Sequence, residues 1–170
     1  FGGKATGHAL MTSVLHSLDI NGRFMIDSML IDGAHMGNGD IGIGWMSYNS
    51  TLSLDCGIIG KEKTTRVSGF LSSPRDTMNL RIDANDLNIA FLGNKIDAFI
   101  SEPTGVANGT VYVLGKMRKL DLAGAAALDC SLKVKANNVT YNINGDTLYL
   151  RPNTLAFDNV GITDRYGNHG

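Results

Sequence analysis

The chain has 170 residues, 43% of them hydrophobic and 18% charged, with a formal net charge of −1. That balance excludes intrinsic disorder, and no apolar run approaches the roughly 20 residues of a spanning helix. Scattered Lys and Arg at near-neutral charge argue against a nucleic-acid partner. Gly is abundant (21) and Pro scarce (3), which suits short strands joined by tight turns.

Residues 1–7 are flexible by composition. His8 to Leu18 fits helical and alternating spacing almost equally, and the strand reading is adopted because every later segment is a strand. Asn21-Gly22 marks a turn before Arg23 to Ile31, and Asp32-Gly33 and Asn38-Gly39 mark two more. Asp40 to Met46 is a strand. Thr51 to Ile58 then sets Leu52, Leu54, Cys56 and Ile58 against Thr51, Ser53, Asp55 and Gly57. This is the period of two of a sheet with one apolar face.

Lys61-Glu62-Lys63 is a charged turn and Thr65 to Leu71 a strand that Pro74 ends, since its missing N–H cannot serve a ladder. Met78, Leu80, Ile82 and Ala84 alternate with Asn79, Arg81 and Asp83. One short helical turn is expected within 91–99. Gly105 to Gly115 and Ala126 to Ala136 are long strands, with Lys116 to Gly124 connecting them. In the second, Leu128, Cys130, Leu132 and Val134 share a face. Val139, Tyr141 and Ile143 lead into Asn144-Gly145, the φ > 0 pair of a tight hairpin turn. Leu148 and Leu150 follow, Pro152-Asn153 turns the chain, and Leu155, Phe157, Val160 and Ile162 close the run, with a bulge or corner between Phe157 and Val160. The count is ten to twelve strands at the spacing of an antiparallel meander.

Gly37-Asn38-Gly39-Asp40-Ile41-Gly42 spells G-x-G-x-x-G, but the dinucleotide fingerprint needs a helix after it. Here a strand follows, so a glycine-rich hairpin is the reading. Cys56 and Cys130 have no CxxC spacing, so zinc is not expected, and two buried free thiols are preferred to a disulfide. The four His residues are scattered, and the Asp residues mostly alternate with apolar ones, as on a solvated face. No catalytic constellation, cofactor or metal site emerges.

The order of segments over residues 85–170 carries a resemblance. A Gly-rich strand (Gly109-Thr110-Val111-Tyr112-Val113-Leu114-Gly115) precedes Leu120-Asp121-Leu122-Ala123-Gly124 and an alternating strand. NVTYNINGDTLYLRP, LAFDNVGITD and a terminal Asp164…Gly167-Asn168 complete it. This order resembles the C-terminal region of the TamB family, AsmA-like translocation and assembly proteins of the Gram-negative envelope, in wording closest to the Bacteroidetes branch. The resemblance implies an all-β, elongated, curved antiparallel meander forming a trough (β-taco-like) with an apolar interior. Residues 1–170 form a single all-β segment of a larger protein, both ends reading as cut. It further implies a periplasmic location and an inner-membrane anchor outside this stretch.

Two non-enzymatic functions follow from the resemblance. In one, the apolar groove shields acyl chains of phospholipid, or a hydrophobic client, between inner and outer membranes. Its expected lining is Leu52, Leu54, Cys56, Ile58, Met78, Leu80, Ile82, Leu128, Cys130, Leu132, Val134, Leu148 and Leu150. In the other, the chain is a scaffold that inserts outer-membrane β-barrel proteins with a BamA-like partner, and open strand edges receive the client. Outside the family, a β-sandwich adhesin or carbohydrate-binding module would need exposed aromatic platforms, and Trp45 is the single Trp.

Overall fold

The computed structural model describes residues 2–13, 17–60, 63–93, 100–116, 118–152, 154–157 and 163–164. It is all-β. The strands are β1 (Gly2–Thr12), β2 (Asp19–Ile31), β3 (Ala34–Met46), β4 (Thr51–Ile59), β5 (Thr64–Ser72) and β6 (Thr77–Asn88). Then come a 3₁₀ turn (Ile89–Leu92), β7 (Ile100–Lys116), β8 (Lys119–Val134), β9 (Val139–Arg151), β10 (Thr154–Phe157) and β11 (Thr163–Asp164). They form one antiparallel sheet in which neighbours in sequence are neighbours in space, with β10 and β11 both paired to β9. β1 and β10 do not pair with each other, so the sheet is not closed into a barrel. No helix among the described residues is long and apolar enough to cross a membrane.

Several turns form where the sequence places them. Asp32 (φ 49) and Gly33 (φ 85) make the two-residue link between β2 and β3, the left-handed pair that matches strand twist. Pro74 lies in the Ser73–Asp76 turn, closed by the Asp76 N–H donating to the Ser73 carbonyl at 3.1 Å. The helical turn lies earlier than expected, at Ile89–Leu92, with Asn88 Oδ1 accepting from the Ala90 N–H at 3.0 Å. Residues 94–99 of that expectation lie outside the described residues, as do Lys61, Glu62, Val160, Ile162 and the terminal Asn168.

Other punctuation proves to be strand. Gly2 to Gly7 belongs to β1, paired with β2, so this segment is ordered by its ladder despite its composition. Asn21-Gly22 and Asn38-Gly39 lie inside β2 and β3, and the G-x-G-x-x-G stretch is continuous strand rather than a hairpin. The supposed connector from Lys116 to Gly124 is mostly β8, whose pairing with β7 begins at Lys116↔Lys119. Asn144-Gly145 is not a hairpin turn either. β9 runs through it, and Gly145 (φ 73) is the extra residue of a bulge facing Leu128 and Asp129. A bulge and a tight turn ask for the same positive φ, so the dipeptide alone does not distinguish them.

Bulges recur towards the same end of the sheet. β2 shifts register between Ile26 and Met29, β6 between Ala84 and Leu87, and β7 between Ser101 and Thr104. Each contains a non-Gly residue at positive φ: Ser28 (52), Asp86 (50) and Glu102 (54). Two are held by an asparagine on the next strand: Asn38 Oδ1 accepts from the Ser28 N–H at 3.1 Å, and Asn108 Oδ1 from the Asp86 N–H at 2.8 Å. At the β6 bulge Thr65, only 2% exposed, exchanges hydrogen bonds with the Asn85 backbone in both directions. Bulges bend strands and tighten twist. Here β3 meets β6, from which β4 and β5 separate it in the sheet, where Asn88 Nδ2 donates to the His35 carbonyl at 2.9 Å.

The core sits at this bulged end in two clusters. One joins Met29, Met36, Cys56 and Ile58, with Phe91 of the 3₁₀ turn packed on them. The other joins Ile89, Ala107, Cys130 and Ile143, with Leu92, Leu128 and Leu132.

Candidate functional site

Directly paired residues on neighbouring antiparallel strands project from the same face, so the register settles which side chains share one. Trp45, Leu52, Leu71, Met78, Gly115 and Leu120 form one cross-strand row. Ile43, Leu54, Gly69, Leu80, Val113 and Leu122 form the next. Ile41, Cys56, Val67, Ile82, Val111, Gly124 and Leu150 form the third. Beyond it lie Ile58 with Gly39 and Thr65, then Ala84, Gly109, Ala126 and Leu148. Leu128, Cys130, Leu132 and Val134 continue the same side of β8.

All thirteen residues expected from the sequence therefore share one face. Burial separates them. Cys56, Ile58 and Cys130 are buried, Leu128 and Leu132 pack beneath the 3₁₀ turn, and Leu52, Leu54, Met78, Leu80, Ile82, Val134, Leu148 and Leu150 are half-buried. The sequence reading missed Val67, Leu71, Val111, Val113, Leu120 and Leu122 on this face. For the last two the signal was their alternation with Asp121, hidden by assigning them to a connector. They are the most open of the set, 43% exposed each.

Charge is sorted less strictly, since Asp146 of β9 pairs with Leu128 on the apolar face. In the paired register of β1 to β8, Lys4, Arg23, Asp27, Asp40, Asp55, Arg66, Arg81, Asp83, Asp121, Asp129 and Lys133 all fall on the opposite face. There they pair. Arg23 Nε donates to Asp40 at 2.8 Å, Arg81 Nε to Asp83 at 2.8 Å, and Thr110 Oγ1 to the same carboxylate at 2.8 Å. Arg66 lies 3.7 Å from Asp55. The Arg81 guanidinium stands 6.0 Å over the ring of its cross-strand partner Tyr112. The Arg23 hydrogen bond holds the Asp40 carboxyl below its ordinary value, and the Arg81 and Thr110 bonds do the same for Asp83. This face also carries Met25 and Phe70, so it is mixed rather than purely polar.

Both thiols are free and buried, one in each core cluster. Burial pushes each above the ordinary thiol value, with Asp55 beside Cys56 and Asp129 beside Cys130 adding to it. Among the described residues no group of three or more His, Cys, Asp and Glu is arranged to hold a metal ion. What the apolar rows can do chemically is bind hydrocarbon. No family model, no curated protein and no solved structure matches this chain.

Proposed function

We propose that this chain is a non-enzymatic segment of a TamB-like protein, and that its apolar face shields the acyl chains of phospholipid crossing the periplasm. The supporting observation is the segregation just described: apolar side chains of β2 to β9 line one face in register, most of the expected lining half-buried, while the register-paired charged residues of β1 to β8 lie on the other. A contiguous apolar surface left accessible on this scale marks a binding surface. On this reading the apolar face is the inside of a trough, with Leu120 and Leu122 at the end away from the bulges. Each sheltered CH₂ is worth about 0.8 kcal/mol, so a chain of some fourteen carbons contributes on the order of 10 kcal/mol before entropy losses. The parent protein is anchored in the inner membrane and works with a BamA-like outer-membrane partner.

The test is binding of a fluorescent phospholipid by purified protein carrying Leu80→Arg or Asn79→Arg. Leu80 faces the apolar rows and Asn79 its exposed opposite. Selective loss in Leu80→Arg, with melting transitions alike, supports the reading. Equal binding by the two variants rejects it.

A second reading, a scaffold for assembly of outer-membrane β-barrel proteins, is favoured by β1. Among the described residues this strand pairs only with β2, all eleven of its residues are exposed, and Lys4 is its one charge. Such an edge accepts an added client strand. Proline at an edge-facing N–H of β1 would block that addition and leave lipid binding intact.

A further inference from the structure

At the bulged end, beyond the three open apolar rows, the ends of β3 to β7 line a cavity of about 930 Å³ that shares Ile58 with the apolar face. The Asn88–His35 hydrogen bond ties its β6 wall to its β3 wall. The floor is apolar: Met36 and Ile58 are 6% and 9% exposed, and Leu87 lies beside them. The rim is ionic. Lys63 Nζ lies 2.9 Å from Asp86 Oδ2, with both side chains about half exposed. The Asp86 backbone is fixed by its positive φ and its N–H bond to Asn108. The Lys63 bond, then Asn108, hold the Asp86 carboxyl below its ordinary value, so it is ionised at neutral pH.

Among the described residues this rim carries one cation and one anion, so it favours neither sign. It is best matched by a ligand carrying both charges close together, and the floor rewards a hydrocarbon portion attached to them. The volume lies within the usual range of small-ligand sites. We infer that this cavity binds an ammonium–phosphate zwitterion, its phosphate on Lys63 and its ammonium on Asp86. Two sources present that chemistry, the headgroup of phosphatidylethanolamine and soluble phosphoethanolamine. The site does not rest on the lipid-shielding reading, because it lies off the rows that Leu80→Arg disrupts.

Calorimetric titration of the purified protein tests it, with phosphoethanolamine, short-chain phosphatidylethanolamine below its micelle concentration, and inorganic phosphate. Both zwitterions bind more tightly than phosphate. Lys63→Met weakens both by about tenfold or more. Asp86→Asn weakens the zwitterions and strengthens inorganic phosphate, an inversion that loss of folding cannot produce. Asn tolerates the positive φ, so the bulge survives. Tighter binding of the lipid assigns the site to the headgroup. Equal binding assigns it to the soluble zwitterion. Absence of binding by either zwitterion at millimolar concentration, or affinities unchanged in both variants, overturns the inference.

Discussion

Asn88 Nδ2 donates to the main-chain carbonyl of His35 at 2.9 Å, joining two strands that the sheet order separates by two others. The same side chain accepts from the Ala90 N–H and so starts the 3₁₀ turn that lays Ile89, Phe91 and Leu92 on the core. One amide thus ties β3 to β6 and starts the turn that covers the bulged end.

Asn88→Ala removes both bonds and leaves the Ala90 N–H without its cap. The expected cost is about 1–2 kcal/mol in chemical denaturation. Faster amide exchange should appear at the start of β3 and at the 3₁₀ turn while β4 to β5 stays protected. Uniform loss of protection would mean that the bond does not act locally.

Gly69 stands in the apolar row between Leu54 and Leu80, and at φ 147 a Cβ there would run into the Asn79 carbonyl. Gly33, also at positive φ, has open space around it. Gly69→Ala should therefore cost roughly 2–3 kcal/mol and Gly33→Ala about 1. Comparable melting temperatures for the two would show that the close backbone approach does not matter.

Acid weakens the charged face first. Asp40, Asp83 and Asp86 titrate below the ordinary carboxyl because of their bonds to Arg23, Arg81 and Lys63. A depressed folded value gives a contribution that is present above the unfolded Asp value of about 3.9 and lost as pH falls through the folded one. Stability should be flat from pH 7 to 5 and decline below about 4, less steeply in Asp83→Asn. These groups are solvent-exposed, so the decline is also smaller in high salt.

Neither thiol should react in the native state. Burial raises both, so their contribution is full below the unfolded value of about 8.5 and lost as pH rises through the folded ones. Maleimide labelling at pH 7 is expected to be blocked in buffer and to reach two thiols per chain in denaturant. Rapid labelling of Cys56 without denaturant would contradict the core assignment.

How much was legible follows from where the information resides. Alternation is local, so Leu52 to Ile58 and Met78 to Ala84 declare their face without the fold. Leu128 to Val134 do so as well, and all thirteen expected residues fall on one side. Asn144-Gly145 misled because positive φ serves a bulge as well as a turn. Leu120 and Leu122 were lost because the β7–β8 turn is much shorter than the polar stretch suggested. The Asn88–His35 bond and the cavity it borders join residues 53 positions apart, which no local pattern encodes.

The most direct test of the central claim is photocrosslinking from the apolar face of the purified protein in phospholipid vesicles. A photoreactive residue at Leu80 should yield a phospholipid adduct by mass spectrometry. One at Asn79, on the opposite face, should yield none or far less. Equal adducts from the two positions, or none from Leu80 in a folded protein, would contradict the account.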